Sequence, residues 1–116
     1  IMLHGDPRYL SQVITNLVIN AVDACKPNGG TVTVTLKRAD EKYALLSVKD
    51  TGSGISPENL SKIFDPFFTT KPFGEGTGLG LSIVHDMVKE YNGHIDVKSR
   101  PGETEFILML PFKKPE

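Results

Sequence analysis

Gly74-Glu75-Gly76-Thr77-Gly78-Leu79-Gly80-Leu81 places four glycines in seven residues and runs directly into a helical pattern. The positions after it, Leu79 to Tyr91, carry Leu81, Val84, Val88 and Tyr91 on one face, and Asn92-Gly93 closes them. The stretch before it, Asp65 to Thr77, has two prolines, three phenylalanines and no period, and reads as a long loop. Glycines at alternate positions let a backbone approach a ligand closely. The following helix start presents unpaired N–H groups and a positive dipole end. The run is therefore a candidate anion site, with phosphate the anion that fits, although a glycine-rich structural turn has the same local look.

Working outward, Ile1 to His4 reads as a short strand, and Asp6-Pro7 as the N-cap and first position of a helix. Leu10, Val13, Ile14, Leu17, Val18, Ala21, Ala24 and Cys25 recur at helical spacing as one buried stripe, stopped by Pro27-Asn28-Gly29-Gly30. Thr31 to Leu36 alternates with β-branched residues, and Tyr43 to Lys49 follows a polar turn, so the two form a hairpin. Ser56-Pro57-Glu58 opens a short helix ending near Phe64. Ile95 to Val97 and Glu105 to Leu110 are closing strands around the turn Arg100-Pro101-Gly102. The expected architecture is a two-layer α/β sandwich, one mixed sheet under a layer of helices.

The bounds are those of one domain over residues 1–116, with 39% hydrophobic and 23% charged residues. Thirteen basic and fourteen acidic side chains nearly cancel, so no nucleic-acid-type basic excess is present. Cys25 is the one cysteine, which excludes an internal disulfide and fits a reducing compartment. No apolar run reaches membrane-spanning length. The chain opens inside a strand pattern without Met at position 1 and is read as a piece of a longer protein.

Two further polar groups suit the same ligand. Asn16, Asn20 and Asp23 fall at i, i+4 and i+7 and share one face of the first helix. Asn is a poor mid-helix residue, so the alternatives are a solvated polar face or a cluster of amide oxygens beside phosphates and Mg²⁺. Asp50-Thr51-Gly52-Ser53-Gly54-Ile55 directly follows a strand. It is either a turn with its own Asp cap or a pocket in which a fixed carboxylate accepts from a base that offers an amino group, as adenine does. In Phe64-Asp65-Pro66-Phe67-Phe68-Thr69-Thr70-Lys71, Phe64 fits an anchor to the core. Lys71 suits a terminal phosphate and an ordinary surface site equally well.

Together these segments resemble the histidine kinase catalytic ATP-binding domain. Asn16 to Ala24 resembles its N box and Asp50 to Gly54 its first glycine box. Phe64 to Phe68 resembles its F box, and Gly76 to Leu81 its second glycine box, all in the family's order over nearly the whole chain. The Val-Asp-Ala ending and the Phe-Phe-Thr-Thr-Lys run look most like kinases of the nitrogen-regulatory type. The resemblance implies the Bergerat fold and a cytoplasmic domain, the anchoring of its parent being open.

It also implies a role for each matching residue. Asn20 holds Mg²⁺ and Asn16 lies beside the phosphates of ATP. Asp50 receives the adenine amino group in a pocket shaped by Gly52, Gly54 and Ile55. Asp65 to Thr77 is a mobile lid carrying Lys71, and Gly76, Thr77, Gly78, Leu79, Gly80 and Leu81 form the phosphate loop. Phe64 and Asp23 border the nucleotide, and Thr104 contacts adenine. Two positions depart from the family: Asp23 stands where many members carry a cation, and the last motif reads Pro101-Gly102-Glu103-Thr104-Glu105-Phe106, without a glycine beside Thr104.

The activity implied is transfer of the γ-phosphate to a histidine on the dimerisation domain of a sensor kinase, ahead of a response regulator. The isolated domain is expected to be a monomer and its parent a homodimer. An ATPase of the same superfamily and a nucleotide-binding pseudokinase are the alternatives. Against hydrolysis, Asn16 is an amide where the ATPases typically use a Glu, and an amide is no base for water. His4, His85 and His94 lack the context of a phospho-acceptor helix.

Overall fold

The computed structural model describes residues 7–26, 29–65 and 80–111. In chain order these form α1 (Pro7–Ala24), β1 (Val32–Arg38), β2 (Tyr43–Asp50), α2 (Pro57–Leu60), α3 (Gly80–Glu90), β3 (His94–Arg100) and β4 (Glu103–Pro111). The strands make one sheet in the order β1-β2-β4-β3, so the hairpins β1–β2 and β3–β4 join side by side through β2 and β4, with β1 and β3 at the edges.

Each described pair is antiparallel. A mixed sheet was expected; the two-layer sandwich stands, and the strand expected at Ile1 to His4 lies outside the described residues, as does the Asp6 cap.

The stripe of α1 is confirmed at its centre. Val13, Leu17 and Ala21 are one helical turn apart and essentially without solvent contact. They meet Val84 and Val88 of α3 and the inner face of the sheet. That face is built by cross-strand pairs that are buried on both sides, Val48 against Phe106, Leu46 against Leu108 and Ala44 against Leu110. Each such large side chain contributes about 1.5–3 kcal/mol of burial free energy.

Strand β1 forms as expected, but most of it is exposed. Val34 and Leu36 share the inner face with Val48 and Leu46, yet are 47% and 44% exposed, because β1 is the sheet edge.

Two boundaries differ from the sequence reading. Helix α2 stops at Leu60; the chain continues in turns with i→i−3 bonds, Lys62 N–H to Asn59 at 2.8 Å and Asp65 N–H to Lys62 at 2.9 Å. Burial of Ile63 fixes that turn without helical periodicity. The closing strands are longer than expected because their pairing continues to Arg100 opposite Glu103, where the two side chains form a 3.0 Å ion pair. Helix α3 ends as anticipated at Asn92-Gly93, but Asn92 takes the left-handed position, at φ 63°. The bonds Gly93 N–H to Val88 and Asn92 N–H to Lys89 complete a Schellman cap.

Among the described residues, no helix is long and apolar enough to cross a membrane.

Candidate functional site

The site is organised along the polar face of α1. At one end of this face, the Asn16 side chain donates from Nδ2 to the carbonyl of Gly80, the first residue of α3, at 3.4 Å. About 12 Å further along the helix axis, Ala24 accepts from the N–H of Ser53 at 3.2 Å. Asn20 and Asp23 lie between, both partly exposed, and Asp23 pairs with Lys26 at 3.3 Å. One helix thus joins the end of the glycine run to the Asp50 loop.

Asp50 is the last residue of β2 and is 1% exposed. A carboxylate buried there without an acceptor role elsewhere would be costly. Its Oδ1 accepts the N–H of Gly52 at 2.9 Å. Burial pushes its carboxyl above the ordinary carboxylate range, and the Gly52 bond partly counters this.

Close backbone approach explains the glycines of this loop. A Cβ on Gly52 would stand 2.3 Å from the Ala24 carbonyl oxygen. Gly54 has φ 82°, and a Cβ there would stand 2.4 Å from the carbonyl oxygen of Arg100. Neither contact can relax by a side-chain rotation, because the opposing atom is backbone.

Thr104 lies directly across the sheet from Asp50 and is 3% exposed. Its hydroxyl is 2.8 Å from that of Ser99, and Ser99 Oγ accepts the N–H of Ile55 at 2.7 Å. Asp50, Thr104, Ser99 and the Asp50 loop are therefore one hydrogen-bonded unit. The N–H and carbonyl of Thr31 close the other side, bonding the hydroxyl and the N–H of Thr51. Ile55 itself packs, half-buried, on the core.

Phe64 is the core anchor that the sequence suggested. It is half-buried, stacks near His85 at 5.1 Å between ring centroids, and meets Phe106 edge-on at 6.4 Å. Leu81 is likewise half-buried against the core. Lys71, Gly76, Thr77, Gly78 and Leu79, with the lid expected over Asp65 to Thr77 apart from Asp65, lie outside the described residues.

The sequence reading missed three contributors. Gln12 donates to Asn16 Oδ1 at 3.1 Å, and its i, i+4 spacing from Asn16 was a readable signal. Ser99 and Ala24 had no such signal, because they reach the site by strand pairing and by backbone packing.

The family described as histidine kinase-, DNA gyrase B- and HSP90-like ATPase matches residues 5–114. The sensor histidine kinase ZraS of Salmonella typhi is 41% identical over 110 residues, covering 94% of this chain and 23% of that protein. Sporulation kinase E of Bacillus subtilis is 37% identical over 113 residues, covering 97% of this chain and 15% of that protein. The chain thus spans about a quarter or less of the curated relatives it matches. Among solved structures, the mycobacterial sensor histidine kinase MprB superposes with a TM-score of 0.84 at 31% identity, covering 97% of this chain and 78% of that one. The catalytic domain of histidine kinase ThkA gives 0.80 at 35% identity, covering 95% and 71%. ShkA, solved with AMPPNP, gives 0.84 at 32% identity, covering 97% and 23%. The chain belongs to the histidine kinase-, DNA gyrase B- and HSP90-like ATPase family, as a catalytic ATP-binding domain of the sensor histidine kinase type.

Proposed function

We propose that this domain binds Mg-ATP along the polar face of α1 and presents the γ-phosphate to a histidine on the dimerisation domain of its parent sensor kinase, within a two-component relay to a response regulator. The observation that carries this reading is Asp50: a carboxylate almost wholly buried at a strand end, held by one backbone N–H and bordered by a buried threonine hydroxyl. A carboxylate is an acceptor, so it selects a base edge with an amino donor, and adenine has one where guanine has a carbonyl.

Phosphoryl transfer asks chiefly for positioning and charge neutralisation. In this reading Asn16 donates toward the phosphates near the start of α3, Lys71 meets the γ-phosphate, and Gly76, Gly78 and Gly80 lend backbone. Among the described residues, no group of three His, Cys, Asp or Glu could hold a metal ion. A single neutral oxygen from Asn20 suits Mg²⁺, which takes most of its ligands from phosphates and water and would neutralise phosphate charge there. Asn16 offers no basic group to activate water, which supports transfer over hydrolysis. Of the histidines, His85 packs on Phe64 and His94 on Tyr43, both as ring contacts.

The test is incubation with radiolabelled ATP, alone and with the parent's dimerisation domain added in trans. Alone, the domain should neither hydrolyse ATP appreciably nor label itself. With the added domain, an acid-labile, base-stable phosphohistidine should form on that partner. Label on His4, His85 or His94, or rapid phosphate release, would overturn the reading.

A further inference from the structure

The Gly80 carbonyl can only accept, so Asn16 must present its Nδ2 to it, at 3.4 Å. Asn16 Oδ1 then faces back along α1 and needs a donor. Gln12 supplies one from Nε2 at 3.1 Å, a helical turn earlier. The order of donors in the chain Gln12 to Asn16 to Gly80 is fixed by its acceptor-only end. Both side chains are accessible to solvent and neither supports the core, so the arrangement is not a packing requirement. Were Gln12 absent, the long 3.4 Å bond to the Gly80 carbonyl alone would hold the Asn16 amide against a half-turn, which would aim an oxygen at that carbonyl and at the helix start where an anion is favoured.

We propose that Gln12 is a positioning residue of the nucleotide site: it locks the Asn16 amide with its donor side toward the first turn of α3, and so tunes the site for phosphate rather than for base. The inference rests on the nucleotide reading above. It adds a residue that contacts neither base nor metal and acts through Asn16.

Gln12→Met tests it, because Met has similar length and helix propensity and adds no charge. Calorimetric titration with a non-hydrolysable ATP analogue should show affinity reduced about fivefold, the scale of one lost hydrogen bond. Adenosine affinity, set at Asp50, should be unchanged, whereas general loosening of the domain would weaken both ligands. In the ligand-free chain, the Asn16 side-chain amide resonance should shift. In an Asn16→Ala background, Gln12→Met should have no further effect. An unaltered affinity for the analogue, an equal loss for adenosine, or the same loss in the Asn16→Ala background would each overturn the proposal. Failure of the unaltered chain to bind either ligand would overturn the nucleotide reading beneath it, while the Asn16 resonance would still report whether Gln12 holds that amide.

Discussion

The N–H of Gly52 reaches back to the Asp50 carboxylate at 2.9 Å, and the same glycine lies so close to Ala24 that a methyl group would stand 2.3 Å from its carbonyl oxygen. The buried acid at the end of β2 and the end of α1 are thus fixed to each other through one residue without a side chain. Function and stability meet in this contact, and they can be separated by substitution.

Asp50→Asn should stabilise the nucleotide-free domain and impair binding. Burial holds the Asp50 carboxyl above its ordinary range, so ionisation works against folding. The cost is absent at pH below the unfolded carboxylate value, grows as pH climbs through it toward the raised folded value, and is fully present at neutral pH. The thermal midpoint of Asp50→Asn should therefore exceed that of the parent chain at pH 7, and the difference should shrink toward about pH 3. With its oxygen held on the Gly52 N–H, an Asn presents its amide nitrogen where Asp50 has its second oxygen, so that a donor would face the adenine amino group. ATP affinity should fall about tenfold or more, as titration calorimetry would measure. Retained affinity would remove Asp50 from the base-reading role.

Gly52→Ala should lower stability by about 2 kcal/mol, the range for forcing a methyl into closed backbone packing. The opposing atom is the Ala24 carbonyl oxygen, which is fixed in the last turn of α1. Urea unfolding should show a lower midpoint with an unchanged slope. ATP affinity should fall with it, since the Asp50 loop must shift to make room.

Tyr9→Phe should leave stability unchanged or raise it. The Tyr9 hydroxyl is buried with no hydrogen-bond partner among the described residues, while its ring packs on Tyr91 at 3.9 Å between centroids. Burial first, then Tyr91 and Glu90, push its phenol up to about 12. Its neutral form is thus favoured in the folded state, and stability falls as pH rises from the ordinary phenol value of about 10 toward 12. Denaturation followed across that window should show the parent chain losing stability faster than Tyr9→Phe. A loss above about 1 kcal/mol in the variant at neutral pH would mean that the hydroxyl has a partner after all.

Asn20→Ala should uncouple nucleotide binding from Mg²⁺. Asn20 is partly exposed on the polar face of α1, so the substitution leaves the core untouched. Titration of ADP with and without Mg²⁺ should show enhancement by the metal in the parent chain and none in the variant. A full Mg²⁺ response in Asn20→Ala would reassign the metal ligand.

By itself the sequence determined what repeats locally. The stripe of Val13, Leu17 and Ala21, the alternation of Thr31 to Leu36, and the stop at Asn92-Gly93 follow from helical and strand periods and from end signals, all set by near neighbours. The polar motifs were legible for the same reason, since Asn16 to Asn20 and Asp50 to Gly54 carry their spacing within one turn or one loop. Only the tertiary structure decided which of these meet. Thr104 stands beside Asp50 because β4 pairs with β2, although 54 positions separate them in sequence. Ser99 secures the Asp50 loop because the β3–β4 hairpin brings its hydroxyl to the N–H of Ile55. Gly52 must lack a side chain because α1 ends against it, a steric fact that no property of the Asp50 loop alone contains. Long-range pairing and backbone packing have no local period, and that is why the motifs were readable while their mutual geometry was not.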